Sequence, residues 1–138
     1  MMHQPKKLLF VCVENSNRSQ MSQAFANILG GSAVLAFSAG SRPSGKINPK
    51  AIASMKELGY DLSSHHSKSL EEVKEYAPFD VVVTMGCGDV CPVFPGKRYE
   101  DWQLEDPAGQ GVAAVRPIRD EIRKRVERLI AELEGSHE

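Results

Sequence analysis

A cysteine and an arginine, Cys12 and Arg18, lie six positions apart between a strand-like pattern and a helix-like pattern. Residues 7–11 form a short apolar run, and apolar residues recur at helical spacing after Ser19. Residues 12–19 are therefore predicted to form a loop at a helix N-terminus, where unpaired N–H groups and the helix dipole attract an anion. Arg18 would add a fork of donors, and the same field favours the thiolate of Cys12. We expect a nucleophile inside a binding site for a tetrahedral oxyanion.

Other residues of this loop fit the same chemistry. Ser19 can donate its hydroxyl to the Cys12 thiolate, and Asn15 tolerates the left-handed backbone that such a loop requires. A cysteine that ends a strand is, taken alone, most often a small buried hydrophobe, but the combination of residue types favours catalysis. The Glu14 carboxylate should point outward, because it would otherwise repel the anion. The predicted oxyanion-binding residues are Glu14, Asn15, Ser16, Asn17 and Arg18.

Composition restricts the function classes. The chain has 138 residues, 41% of them apolar, and a net charge of −1, which predicts one globular domain over residues 1–138 without a basic surface for nucleic acid. It has no apolar run of membrane-spanning length and no signal-peptide pattern at its start. We expect a cytoplasmic protein that binds neither nucleic acid nor membrane. Its three cysteines are then reactive thiols or ligands, not a disulfide framework.

Strand-like and helical patterns alternate along the chain. Strands are predicted at residues 7–11, 33–38, 79–84 and, as a polar edge strand, 97–102. Helices are predicted after Asn48, with Pro49 at the first position, after Ser69 with a capping box, and from Val115, with Pro117 in the first turn or at a kink. This order predicts a three-layer α/β/α fold with a parallel sheet and helices on both faces. The site should lie at the carboxyl ends of the strands.

Two further loops at that end carry reactive groups. Cys87 and Cys91 lie four positions apart in a glycine-containing segment after the third strand. Asp106 follows the fourth strand and precedes Pro107, which holds it extended, so its carboxyl group can be directed at a ligand. An aspartate before proline is by itself an ordinary turn residue, and only its pairing with the Cys12 loop favours catalysis.

Together these residues resemble the arsenate reductases built on the low-molecular-weight protein tyrosine phosphatase fold. The resemblance rests on residues 12–21, 38–40, 48–51 and 105–109 and covers nearly the whole chain. It implies a four-stranded parallel sheet. We expect no cofactor and no metal site. The roles that it implies are a nucleophilic Cys12, an oxyanion-binding Arg18, a thiolate-stabilising Ser19, a loop-shaping Asn15 and a general acid at Asp106.

Arsenate is favoured over phosphotyrosine as the substrate. A phosphotyrosine site needs aromatic or apolar walls, yet residues 39–49 contain no aromatic residue, and Asp106-Pro107 is followed by alanine and glycine. Reduction also gives a use to the second pair of thiols, which hydrolysis does not need. In the expected mechanism Cys12 attacks arsenate, Cys87 attacks the Cys12 sulfur, and Cys91 takes over the disulfide for reduction by thioredoxin or a glutaredoxin-like protein.

Three alternatives stay open at this point. The spacing of Cys87 and Cys91 is similar to that of relatives in which a low-molecular-weight thiol such as mycothiol attacks the arsenate adduct. An aryl phosphatase is the second alternative. A zinc module with Cys87, Cys91 and one of His65 or His66 is the third, although those histidines are expected to be exposed. Gln23 stands where potassium-binding relatives carry glutamate, so no potassium site is assigned.

Overall fold

The computed structural model of the chain describes residues 5–85, 96–104 and 111–135, and the predictions for Cys87, Cys91 and Asp106 lie outside the described residues. Short 3-10 turns cover Gly31–Ala33, Leu62–Ser64 and Lys74–Tyr76. The strands and helices are β1 (Lys6–Cys12), α1 (Arg18–Gly30), β2 (Val34–Gly40), α2 (Pro49–Lys56), α3 (Leu70–Val73), β3 (Phe79–Thr84), β4 (Gly96–Asp101) and α4 (Val112–Gly135).

The four strands form one parallel sheet in the order β2-β1-β3-β4. The sheet confirms the predicted strands and their parallel pairing. The chain passes from β1 to β2 on one side and then returns to β3 on the other side of β1. The strand order therefore reverses beside β1, and loops diverge from the carboxyl end of that strand. Cys12 is the last residue of β1.

Helices cover both faces of the sheet, as predicted. Leu8, Phe10 and Cys12 share one face of β1 and pack in a cluster with apolar residues of α1, α2 and α4. Leu9 and Val11 point to the opposite face, where they pack in a second cluster with residues of α3 and β3. The two-residue period of a strand thus assigns Cys12 to the layer that contains α1, the helix that starts just after the loop.

The strand patterns have the expected burial. β3 is buried on both faces, whereas side chains of the edge strand β4 alternate between partly buried and exposed. Val34 begins β2 and Gly40 ends it, so this strand starts one residue later and extends two residues further than residues 33–38 predicted. Among the described residues, no helix is long and apolar enough to cross a membrane.

Helices α2 and α3 begin at the capping residues that the sequence predicted. The Asn48 side chain accepts a hydrogen bond from the backbone N–H of Lys50 at 2.9 Å, and the Glu72 carboxylate accepts one from the N–H of Ser69 at 2.8 Å. These contacts confirm the predicted caps. The prediction for the last helix was wrong in its start: α4 begins at Val112, so Pro117 lies inside the helix beyond its first turn. Proline removes one helical hydrogen bond and its ring crowds the preceding turn, but the remaining length of α4 and its packing against α1 and α2 maintain the helix.

Candidate active site

Residues 12–19, here called the anion-binding loop, turn sharply where β1 ends. Asn15 has a φ of 51°, the left-handed backbone that its residue type was predicted to tolerate. Gly40 at the end of β2 lies against the loop so closely that a Cβ atom there would be 2.5 Å from the Val13 carbonyl oxygen. A side chain at residue 40 would therefore push the loop away from the sheet.

Hydrogen bonds from the segment 41–48 hold the outer side of the anion-binding loop. Three backbone carbonyls of the loop accept hydrogen bonds from backbone N–H groups of that segment, so they turn away from the loop interior. The pairs are Arg42 to Val13 at 2.8 Å, Ser44 to Glu14 at 3.0 Å, and Asn48 to Ser16 at 2.9 Å. With the carbonyls held outside, the N–H groups of the loop can converge on an anion without carbonyl repulsion.

A cavity of about 190 Å³ lies inside the loop, at the N-terminus of α1. Its volume suits a small oxyanion, and the described residues that line it include no aromatic side chain. Glu14 is exposed, as predicted for a carboxylate beside an anion. The lining residues are Cys12, Val13, Glu14, Ser16, Asn17, Arg18 and Asn48. Asn48 was predicted only as a helix cap, and its place on the cavity wall had no signal in the sequence.

The Cys12 sulfur contacts Ser19 and is almost fully buried. Its Sγ lies 2.9 Å from the Ser19 hydroxyl oxygen, and Asn15 donates from Nδ2 to that same oxygen at 2.8 Å. The orientation of the Asn15 amide is fixed, because its Oδ1 accepts from the backbone N–H of Lys68 at 2.7 Å. Ser19 therefore accepts from Asn15 and can direct its own hydrogen at Cys12, which suits a thiolate.

A buried glutamine supports this arrangement from behind. Gln20 donates from Nε2 to the Asn15 backbone oxygen at 3.1 Å, to Asn15 Oδ1 at 2.9 Å and to the His66 backbone oxygen at 3.0 Å. The side chain is fully buried. Gln20 and Lys68 were not assigned roles from the sequence, because the contacts of Gln20 with His66 and of Lys68 with Asn15 join distant parts of the chain.

Arg18 is among the residues that line the cavity, and its guanidinium contacts the segments that follow β3 and β4. It is 7% exposed, and its Nη1 donates to the backbone oxygens of Met85 at 3.0 Å and Leu104 at 3.2 Å. Met85 directly follows β3, and Leu104 lies just after β4. Arg18 is thus held at the two positions from which the chain continues towards Cys87 and Asp106.

The prediction that both adjacent histidines are exposed was wrong for His65. His66 is exposed, but His65 is partly buried, with Nε2 at 2.6 Å from the Tyr60 hydroxyl and Nδ1 at 3.0 Å from Gln20 Oε1. Because the Gln20 oxygen can only accept, Nδ1 carries the hydrogen, and Nε2 accepts from Tyr60. Burial lowers the pKa of His65, which favours this neutral form. The described part of the chain holds no group of three or more metal-binding side chains.

Comparisons with known proteins agree with this geometry. The family model for low molecular weight phosphotyrosine protein phosphatase matches residues 7–138. A glutaredoxin arsenate reductase of Synechocystis sp. is 41% identical over 93% of this chain and 98% of its own length. Arsenate reductase 1 of Staphylococcus epidermidis is 39% identical over 90% of this chain and 95% of its own.

Solved structures show the same similarity. An arsenate reductase in its phosphate-binding state is 41% identical, has a TM-score of 0.83, and is matched over 92% of this chain and 98% of that one. A thioredoxin-dependent arsenate reductase from Corynebacterium glutamicum is 36% identical with a TM-score of 0.80, over 99% of this chain and 66% of that one. An arginine phosphatase, 24% identical with a TM-score of 0.82, shares the fold.

Proposed function

The chain belongs to the low molecular weight phosphotyrosine protein phosphatase family and, within it, to the arsenate reductases, and we propose that it reduces arsenate through Cys12. The observation that carries this proposal is the oxyanion-sized cavity at Cys12, whose sulfur lies 2.9 Å from the hydroxyl of Ser19. A hydroxyl that donates to sulfur stabilises the thiolate, which is the attacking form. Arsenate, a tetrahedral oxyanion, is the substrate.

The first step joins arsenic to the enzyme. Arsenate occupies the anion-binding loop, and the Cys12 thiolate attacks the arsenic atom, forming a sulfur–arsenic bond. One arsenic–oxygen bond breaks, and the departing oxygen takes a proton from Asp106 and leaves as water. Arsenic stays in its oxidised state in this step. Arg18, a wall of the cavity, neutralises part of the charge of the bound anion.

The second step transfers the electrons. The Cys87 thiolate attacks the Cys12 sulfur, so a sulfur–sulfur bond forms and the sulfur–arsenic pair of electrons passes to arsenic. Arsenite leaves, and Cys12 and Cys87 are oxidised to a disulfide. Cys91 then attacks Cys87, releasing the Cys12 thiolate and leaving a Cys87–Cys91 disulfide. A thioredoxin or glutaredoxin would reduce that disulfide, and the names of the Synechocystis and Corynebacterium relatives support such a partner.

A low-molecular-weight thiol is the second candidate for the attacking group. The specific observation in its favour is the short spacing of Cys87 and Cys91, with three residues between them. In that route an external thiol such as mycothiol attacks the Cys12 sulfur of the adduct, so a disulfide forms between Cys12 and the thiol and the sulfur–arsenic pair of electrons leaves with arsenite. A glutaredoxin-like protein then reduces this mixed disulfide. Both routes share the first step at Cys12.

Hydrolysis of an aryl phosphate is a weaker candidate for the main activity. Any tetrahedral oxyanion suits the loop, so slow phosphatase activity is expected as a side reaction. However, the described lining of the cavity offers no aromatic ring to sandwich an aryl group.

A reductant panel tests the proposal. The protein would be assayed for arsenite with NADPH and the thioredoxin system, with glutathione and glutaredoxin, or with mycothiol and its glutaredoxin-like partner, and in parallel for p-nitrophenyl phosphate hydrolysis. We expect arsenite in at least one reductant system and none from Cys12→Ser. The Cys87→Ser variant should lose activity with thioredoxin if the second thiol is internal and keep activity with mycothiol if it is external. Hydrolysis of the aryl phosphate with no arsenite in any system would overturn the proposal.

A further inference from the structure

Lys68 contacts the site through its backbone from both sides. Its N–H donates to Asn15 Oδ1 at 2.7 Å, and its carbonyl oxygen accepts from the N–H of Gly40 at 2.8 Å. Gly40 in turn is the residue of β2 that pairs with Cys12 of β1. The Lys68 backbone therefore links the end of β2 to the side-chain amide of Asn15, and this amide orients Ser19.

The Lys68 side chain is partly buried, and its ammonium is bonded to neutral oxygen atoms. Nζ donates to the His66 carbonyl at 2.9 Å and to Ser38 Oγ at 3.3 Å. Ser38, which is fully buried, donates its own hydrogen to Gln23 Oε1 at 2.6 Å, and Gln23 donates from Nε2 to the Ala36 carbonyl at 3.2 Å. Because an ammonium can only donate, it sets the direction of the whole chain of hydrogen bonds.

This placement has a cost in solvation. Burial lowers the pKa of Lys68, and the nearby Glu72 carboxylate opposes that shift only in part. Partial removal of a cation from water costs solvation free energy, which its hydrogen bonds to neutral acceptors offset only in part. The contacts instead restrain position: they hold Lys68 to β2 through Ser38 and to its own segment through His66.

We propose that Lys68 is a positioning residue for Cys12, whose ammonium fixes the peptide that orients Asn15 and Ser19. Without the ammonium, the segment around Lys68 loses its side-chain attachment to β2, and the N–H that holds Asn15 Oδ1 is free to shift. Of the two donors to Asn15 Oδ1, only Gln20 then stays in place, so the amide is held less firmly and Ser19 can turn its hydrogen away from the Cys12 sulfur. This inference rests on the proposed role of Cys12 as the nucleophile.

The test measures Cys12 directly, without arsenate. In a Cys87→Ser, Cys91→Ser background Cys12 is the only thiol of the chain, and its alkylation by iodoacetamide can be followed by mass spectrometry from pH 5 to 10. Lys68→Met keeps the alkyl stem and removes the charge. We expect alkylation at neutral pH to slow about tenfold and the pH profile to move upward, because fewer molecules hold the thiolate.

Lys74→Met is the matched control. Lys74 lies just after α3, is exposed, and pairs only loosely with Glu71 at 3.7 Å, so its loss changes the net charge equally without touching the site. Its alkylation profile should match that of the parent.

In Lys68→Ala, added methylammonium should restore part of the alkylation rate, whereas the bulky tetramethylammonium should not, because only a small donor can bind the vacated oxygens.

A Ser38→Ala variant keeps the inference falsifiable if Lys68→Met does not fold, as judged by circular dichroism. It removes an acceptor of the ammonium and leaves the Lys68 backbone in place, and it should slow alkylation in the same direction. Combined with Lys68→Met, its effect should be smaller than in the parent, because both act through one contact. If Lys68→Met folds, a parent-like alkylation profile in that variant would overturn the inference. If it does not fold, a parent-like profile in Ser38→Ala would overturn it. If the variants change alkylation as expected but the parent protein makes no arsenite, the proposed function is wrong and the inference about Lys68 stands.

Discussion

Under the proposed function, the reactivity of Cys12 depends on the direction of one hydrogen bond. Asn15 donates to the Ser19 oxygen, so the Ser19 hydrogen can point at sulfur. A hydrogen bond to a charged group contributes about 1.5–3 kcal/mol, which corresponds to about 10- to 150-fold in rate if it acts fully in the attack.

Ser19→Ala should therefore slow formation of the arsenic adduct by about 10-fold or more. Rapid quenching and mass spectrometry of the adduct would measure the rate. Ser54→Ala is a suitable control, because Ser54 is also a fully buried helical serine, and its hydroxyl bonds to the Ala51 carbonyl away from the cavity. Equal rates in Ser19→Ala and the parent would exclude this role for the hydroxyl.

Asp106→Asn tests the general acid separately from binding. The amide cannot deliver a proton to the leaving oxygen, so adduct formation should slow while the affinity for phosphate or arsenate stays nearly unchanged. The rate comes from single-turnover kinetics, and the affinity comes from calorimetric titration with phosphate. A large loss of affinity with little change in rate would assign Asp106 a structural role.

At the scale of elements, the end of β2 supports the anion-binding loop by close contact. A methyl group on Gly40 would meet the Val13 carbonyl oxygen at 2.5 Å and the Asn15 nitrogen at 2.9 Å, both of them backbone atoms with little room to move. Overpacking of this kind commonly costs about 1–3 kcal/mol.

Gly40→Ala should accordingly lower the thermal unfolding midpoint and weaken phosphate binding together, because the loop itself must shift. Differential scanning calorimetry with and without phosphate measures both effects. Gly45→Ala is a useful contrast: nothing lies within 4 Å of a Cβ there, although its φ of 86° is unfavourable for alanine. It should affect stability but not phosphate affinity. Unchanged phosphate binding in Gly40→Ala would contradict the proposed support.

Helices α2 and α4 are joined by an ion-paired carboxylate. Hydrogen bonds from Arg116 and then Arg119 lower the pKa of Glu57 from 4.5 to about 2. A carboxyl group with a lowered pKa in the folded state stabilises the fold above its unfolded pKa, and this contribution is lost as the pH falls through the folded value.

Glu57→Gln should therefore be less stable than the parent at neutral pH, and the difference should shrink between about pH 4.5 and pH 2. Urea unfolding followed by circular dichroism at several pH values would measure it. Glu71→Gln, which removes an exposed carboxylate on α3, should show a much smaller difference. A Glu57→Gln deficit that stays constant from pH 7 to pH 2 would contradict the ion-pair explanation.

At the scale of the whole molecule, the positions of the strands and helix caps could be predicted from sequence, because an apolar run and a capping residue are recognised from adjacent residues. The apolar run before Cys12 and the caps at Asn48 and Ser69 are of this kind. Lys68 and His65 could not be assigned from sequence, since their contacts reach Asn15 and Gln20, which are remote in the chain. Of the two places predicted for Pro117, the first turn was wrong, because α4 begins at Val112, before the first predicted apolar position.

The sheet also brings Cys12 and the residues just beyond β3 and β4 to one end of the described structure. Cys12 ends β1, while Met85 and Leu104, the residues that Arg18 contacts, lie just beyond β3 and β4. Loops that leave the carboxyl ends of neighbouring parallel strands start close together, which supports a relay from Cys12 to Cys87 and Cys91 within one chain. Such a relay requires movement, because two sulfurs must approach within bonding distance and then separate.

A single turnover tests arsenate reduction at Cys12 most directly. The fully reduced protein would be mixed with an equal amount of arsenate, without external reductant, and the arsenite released and the thiols lost would be measured by mass spectrometry. We predict one arsenite for each chain and the loss of two thiols, recovered as a Cys87–Cys91 disulfide. The contradicting result is no arsenite here or after addition of thioredoxin, glutaredoxin or a small thiol, from a protein that still hydrolyses an aryl phosphate.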